Sequence, residues 1–295
     1  MGWFWSRKRP ANRKYIDLIF DETSLWASYM PFKASPPKVG DYGSIDRQTG
    51  EFEYQGNIYE SKEILAEVPE LKENRCQPVV GQVISKWVVT AKTAKQADVT
   101  LAPTASVLLP EGDLASVAEA SIDVEVAFRA DERGAVLAMY QPRTTDLPKD
   151  VILGKLSKVQ ALKSPGIYLV TKVVSCPAYA LQISDKGSSS VRVKFVGQLP
   201  ISAAPGVTVG GQMGVGWKSE HVGSSYQEAC NVKGEYTYCP LFSLKQVRPK
   251  PSIKFRQAGD TRKGDDTWVD IVPPWAPLDE EGDEIPYEDD FEVKV

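Results

Sequence analysis

Residues 121–129 read SIDVEVAFR. Ile122, Val124, Val126 and Phe128 alternate with Asp123, Glu125 and Arg129. A period of two places the apolar set on one face of a β-strand and the charged set on the other. The same pattern recurs at 189–195, where Val191, Val193 and Phe195 alternate with Arg192 and Lys194. Residues 82–101 are rich in Val, Thr and Trp, which favour strand. GIYLVTKVVSC (166–176), the glycine-rich GVTVGGQMGVGWKSE (206–220) and YTYCPLFSLKQVR (236–248) read as further strands.

These strands fall into two groups, with helices between and around them. Helical spacing is predicted for ERGAVLAMYQ (132–141) and for PKDVILGKLSKVQAL (148–162). Pro148 suits a first helical position, and Ser164-Pro165-Gly166 suits the stop. IYESKEILAEVPEL (58–71) predicts a short helix, and DRQTGEF (46–52) a hairpin turn. YIDLIFDETSLWASYM (15–30) fits a strand or a short helix. The expected class is α+β, a twisted antiparallel sheet flanked by helices, rather than a regularly alternating parallel sheet.

At 295 residues, with 42% hydrophobic and 25% charged, the chain is long enough for a real core. It contains no long apolar run of transmembrane-helix type. Its N-terminus does not follow the secretory order of charge, then apolar stretch. A cytoplasmic location at rest is therefore expected. Cys76, Cys176, Cys230 and Cys239 form no CxxC pair and read as reduced thiols, with a Cys230–Cys239 bridge left open.

Catalytic signatures are weak. His221 is the only histidine and lies in a polar stretch, so a histidine-based metal or catalytic site is not expected. GGQMGVG (210–216) has the order G-x-x-G-x-G, and no Walker lysine follows it. It reads better as a strand needing small side chains. No cofactor and no enzymatic activity are expected.

Charge is distributed unevenly. Residues 264–295 hold 12 acidic residues and the single base Lys294, a charge of −11, against +7 on residues 1–263. The chain opens MGWFWSRKRP, three aromatics followed by a basic cluster. Trp3, Phe4 and Trp5 suit a membrane interface, and Arg7, Lys8, Arg9, Arg13 and Lys14 suit lipid phosphates. Packing of the aromatics on the protein's own sheet is the competing reading, and nucleic-acid stacking ranks last for want of an RNA-binding signature. Gly2 and Ser6 formally match a myristoylation pattern, against which stands the bulky Trp3. The acidic tail is punctuated by Trp268, Trp275, Tyr287 and Phe291, which an ordinary solvated tail would not carry. Those aromatics predict that the tail docks.

A membrane-spanning strand needs about 9–11 residues. The stretches 82–101, 121–129, 167–176 and 189–197 approach that length, as two pairs, each one potential hairpin. Lone hairpins leave unpaired edges in lipid, so insertion would require many copies closing a barrel. A half-buried sheet in a soluble binding or adaptor module shows the same periodicity.

KVGDYGSIDRQTGEFEYQGNIYE (38–60), SPGIYLVTKVVS (164–175) and VTVGGQMGVGWKSE (207–220) resemble the pore-forming domain of gasdermins, most closely the fungal cell-death relatives. The resemblance implies a gasdermin N-domain-like fold over residues 1–255 and an inhibitory tail over 256–295. It implies two refolding regions at about 80–130 and 166–217, acidic-lipid binding by the N-terminal basic residues, and self-assembly into a transmembrane barrel. It also implies activation by a protease, often subtilisin-like in this family. Phe255 is the preferred cut site, with Arg256 and Lys263 as trypsin-like alternatives. Animal gasdermins end in a large helical inhibitory domain, which this chain replaces with a short acidic tail.

Overall fold

Four passes of chain lie side by side as one antiparallel ribbon, and the remaining elements pack around it. The computed structural model describes residues 10–29, 36–84, 86–91, 94–104, 119–128, 133–184, 190–198, 202–203, 207–208, 213–219, 225–231, 233–248, 267–279 and 282–285. In chain order the elements are α1 (Pro10–Thr23), β1 (Trp26–Ala27), β2 (Asp41–Ile45), β3 (Phe52–Asn57) and α2 (Lys62–Glu67). Next come β4 (Val79–Val83), β5 (Lys86–Thr90), β6 (Ala94–Thr104), β7 (Glu119–Phe128), β8 (Ala135–Tyr140), β9 (Arg143–Asp146) and α3 (Lys149–Leu156). The chain continues with β10 (Tyr168–Cys176), β11 (Ala178–Ile183), β12 (Ser190–Gln198), β13 (Ser202–Ala203) and β14 (Val207–Thr208). It ends with β15 (Met213–Ser219), β16 (Ser225–Cys230), β17 (Tyr238–Val247) and β18 (Trp268–Asp270). This is an α+β fold of antiparallel sheets with flanking helices.

Each pass contributes one strand to each of three successive sheets. The proximal sheet pairs β4 with β9, β9 with β10 and β10 with β17. The middle sheet has the order β16-β11-β8-β5, and the distal sheet β15-β12-β7-β6. β1 and β18 extend the proximal sheet beyond β17, while β2 and β3 join it through β10.

The passes change character along their length. β8 (AVLAMY) and β11 (AYALQI) are buried at every position, because both faces of the middle sheet are covered. α1 supplies part of that cover, packing on β5 and β8. Such strands lose their alternation and become continuous apolar runs. That is why residues 132–141, expected as helix, form strand β8 instead. In the distal sheet alternation returns. Register aligns Leu101, Ile122, Phe195 and Val215 in one row, and Val99, Val124, Val193 and Trp217 in another. On the opposite face Glu125 stands across from Arg192, and Asp123 across from Lys194. Val126, on the apolar face, is fully buried.

Two more expectations need correction. Residues 82–101 do not form one strand, since their positions fall in β4, β5 and β6. Residues 167–176 and 189–197 are not the two arms of a hairpin but successive parts of one pass. The second hairpin joins that pass to the pass of β15, β16 and β17. The helices at 62–67 and 149–156 and the hairpin of β2 and β3 stand where expected, with Pro148 capping α3 rather than opening it. The ambiguous segment 15–30 resolves as helix followed by the short strand β1. All four cysteines are free thiols.

Gly43 marks a tight spot in this frame. It follows a register shift between β2 and β3, and a Cβ there would lie 1.9 Å from the Glu53 carbonyl oxygen. Gly43→Ala is expected to destabilise the protein by about 1–3 kcal/mol, as overpacking does. A lowered denaturation midpoint with an unchanged slope checks it.

Candidate functional site

The tail and α1 meet at the candidate site. α1 buries Tyr15, Ile16 and Ile19 in the core. This orients its Arg13–Asp17 flank, one helical turn apart, along the rim. Ser24, with φ of 55°, ends the helix in the left-handed region, and its N–H donates to the Phe20 carbonyl at 2.7 Å. The chain then enters β1, which carries Trp26, 1% exposed.

Trp275 of the tail packs against this corner. Its indole meets Trp26 edge to face, with centroids 5.6 Å apart. Its Nε1–H donates to the Asp17 carboxylate at 2.8 Å. Gly50, with φ of +74°, forms the floor, and a Cβ there would lie 3.0 Å from the Trp275 ring and 2.4 Å from Ile16. Only a residue without a side chain leaves room for both. Trp26 Nε1 donates to the Gly50 carbonyl at 3.0 Å, which fixes that floor.

Arg13 is the centre of the contact. Its guanidinium donates to Glu284 Oε1 at 2.8 Å and to the Gly282 carbonyl at 3.1 Å, and lies 5.9 Å from the Trp275 ring centroid. The Arg13 side chain is only 13% exposed. Charge-assisted bonds of this kind are the strong ones, and the aromatic face adds to them. Lys14 Nζ donates to the Leu278 carbonyl at 3.4 Å. The tail is shaped to reach both cations. Gly282, at φ +89°, turns it back, the Asp283 N–H donates to Asp279, and Leu278 bridges to Glu284.

A second contact lies nearer the start of the tail. β18 pairs with β17, adding a strand to the proximal sheet. Trp268 Nε1 donates to the Leu153 carbonyl of α3 at 2.8 Å. Asp270 forms an ion pair with Lys245 at 2.7 Å.

Burial raises the Asp17 carboxyl to about 6, against the opposing pull of the Trp275 hydrogen bond. Neighbouring Asp21 raises it further, while Lys14 and Arg13 lower it.

The structure thus brings together three residues singled out from the sequence, Arg13, Lys14 and Trp275. Trp268 docks apart from them, on α3. Trp3, Phe4, Trp5, Arg7, Lys8, Arg9, the cut-site candidates Phe255, Arg256 and Lys263, and the tail aromatics Tyr287 and Phe291 lie outside the described residues, as do Gly2 and His221. Sequence reasoning missed Asp17, Trp26, Gly50 and Lys245. The one available signal was Asp17, four residues after Arg13 on a helix, which placed a carboxylate on the basic flank. Among the described residues no helix is long and apolar enough to cross a membrane, which says nothing of strands. Comparison with known proteins finds no family model that matches the chain and no curated protein that matches it.

Trp275→Ala removes a side chain only 8% exposed. It is expected to weaken tail docking by about 3 kcal/mol. Faster hydrogen exchange confined to residues 267–285 and the α1 flank checks it. Asp17 also makes the latch pH-dependent. Its folded-state pKa is raised, so the folded protein holds a proton that the unfolded chain releases. Stability from this group therefore falls as pH rises from 3.8 to about 6. Asp17→Asn keeps an acceptor for Trp275 and should flatten that part of a pH–stability profile, which pH-resolved melts would show.

Proposed function

We propose that this chain is a gasdermin-like, tail-inhibited pore-former that executes regulated lytic cell death. At rest it is a cytoplasmic protein. Proteolytic removal of the acidic tail frees it to bind acidic phospholipids, gather further copies of itself and permeabilise a membrane. The reading assigns it no catalysis and no cofactor.

The observation that carries this reading is the occupation of Arg13 and Lys14 by the tail. Two of the cations expected to meet lipid phosphate already hold Glu284 and the carbonyls of Gly282 and Leu278. Intramolecular attachment gives the tail a high effective concentration at that site, and a cut in the junction 250–267 ends it.

The distal sheet supplies the second support. Its strands β6, β7 and β12 are 11, 10 and 9 residues long, with apolar and charged residues on opposite faces. That length and alternation suit a lipid-facing, lumen-lining strand. A four-stranded sheet has two unpaired edges, so insertion on this reading requires neighbouring copies to pair until a barrel closes. The edge of β17 is capped by β1 and by tail strand β18. At the opposite edge β4 exposes Val79, Val80 and Val83 by half or more. In the proposed mechanism, removing β18 uncovers part of one edge while the apolar β4 edge waits on the other side.

Dye leakage from vesicles containing phosphatidylserine or cardiolipin tests the reading. The intact chain is expected to be silent, and the chain cut after Phe255 to release dye. If neither form releases dye from either vesicle, the protein is a soluble binding or adaptor module whose sheet stays folded.

A further inference from the structure

The second tail contact covers a charge cluster that the basic arm does not account for. Asp146 on β9 and Lys172 on β10 are cross-strand partners, with Nζ 3.3 Å from the carboxylate. Lys245 on β17 and Asp270 on β18 are partners in the same sheet, at 2.7 Å. Lys149 opens α3 and lies within electrostatic reach of all four. Three ammonium groups thus face two carboxylates, and one of those carboxylates belongs to the tail.

Burial is lopsided across the tail pair. The Lys245 side chain is 14% exposed and that of Asp270 74%. A typical surface ion pair leaves both partners in water. Here the tail carboxylate caps a cation already sunk in the sheet. Lys149 is the other anomaly. It sits at the positive end of a helix, where a cation is disfavoured. Its ammonium is made more acidic by burial first, then by Lys245 and Lys172. An anion standing among these three cations would relieve that crowding, and Asp270 is the exposed carboxylate that now stands there.

We propose that Lys149, Lys172 and Lys245 form a binding site for a phosphate group, which Asp270 closes in the intact chain. Without Asp270 the cluster carries +2, with Asp146 retained beside Lys172. The three cations come from α3, β10 and β17, so the site is held by the fold rather than by one flexible segment. An anionic phospholipid headgroup and free phosphate share the recognised chemistry. The choice of lipid rests on the proposed function, whereas the site itself does not.

The test uses the full chain. Asp270→Asn keeps the strand but removes its charge, at an exposed position that should not disturb folding. Sedimentation with phosphatidylcholine vesicles, with and without phosphatidic acid, reads binding. The variant is expected to bind acidic vesicles roughly fivefold better than the parent, the effect of one surface charge, and neutral vesicles no better. Adding Lys149→Gln and Lys172→Gln should remove the gain, and leaves the buried Lys245 in place. Titration with inorganic phosphate separates the sources. Saturable binding to Asp270→Asn that competes fully with vesicles assigns the site to free phosphate, and vesicle binding that resists excess phosphate assigns it to lipid. The proposal is overturned if Asp270→Asn gains nothing on either probe, or if the gain survives the lysine substitutions. A gain in binding when the cut chain releases no dye would sink the pore reading and keep the site. Dye release by the cut chain with no gain would do the reverse.

Discussion

The pairing of passes 119–146 and 168–198 governs the rest of the structure. These two passes hydrogen-bond to one another through all three sheets, as β9 with β10, β8 with β11 and β7 with β12. Side chains alternate with a period of two, so a slip of one residue would exchange the faces of every strand beyond it. The faces do need to change character along the way. β8 and β11 are covered on both sides, whereas β7 and β12 carry one apolar and one charged face. The register contains a matching offset. Seven residues separate Ile183 from Ser190, while eight separate Ala127 from Ala135, their partners. The two passes therefore keep the same neighbour in both sheets although their registers differ by one residue.

Among the described residues, the tail contacts given above fall on the proximal sheet, on α3 and at the α1 corner. β18 continues the edge of β17, and Trp275 fills the space between α1, β1 and the Gly50 turn. The tail is therefore part of the fold at two separate points joined by a short span. Its aromatics anchor it, and its carboxylates meet cations at both points, Arg13 at one and Lys245 at the other. A tail with charge alone would be screened by salt. Trp268, Trp275 and Leu278 give it buried area that salt does not weaken.

Much of this was legible in the sequence, for identifiable reasons. The distal strands announced themselves because one face is charged, so 121–129 and 189–195 alternate cleanly. The docking of the tail was legible because Trp268 and Trp275 stand in an otherwise solvating composition. What stayed hidden follows from burial and distance. β8 read as a helix because a strand buried on both faces has no polar positions to mark its period. The 168–176 strand was paired with the wrong neighbour because strand order depends on long-range register. Lys245 lay within a strand whose sequence gave no hint that a tail carboxylate would stand opposite it. Trp26 and Gly50 were invisible as a binding corner, since aromatic and glycine at that separation is an unremarkable pattern until a turn brings them together.

On the proposed function, the tail is a latch that opens after one cut, and such a latch cannot hold too tightly. While the chain is continuous, the tail docks against a high local concentration of its own site, so modest affinity keeps it closed. In the proposed mechanism the same contacts lose to dilution after a cut. Trp275 and Arg13 alone favour a firm hold, with a buried indole and a guanidinium that has several tail acceptors. Asp17 works against them. Its carboxylate accepts the indole N–H only by giving up water, and burial raises its pKa to about 6. At neutral pH that group is ionised in a place where burial penalises ionisation, while the Trp275 hydrogen bond, Lys14 and Arg13 favour the ionised form. Burial of Asp17 and its charge-assisted bond to Trp275 thus pull in opposite directions at the point where α1 meets the tail.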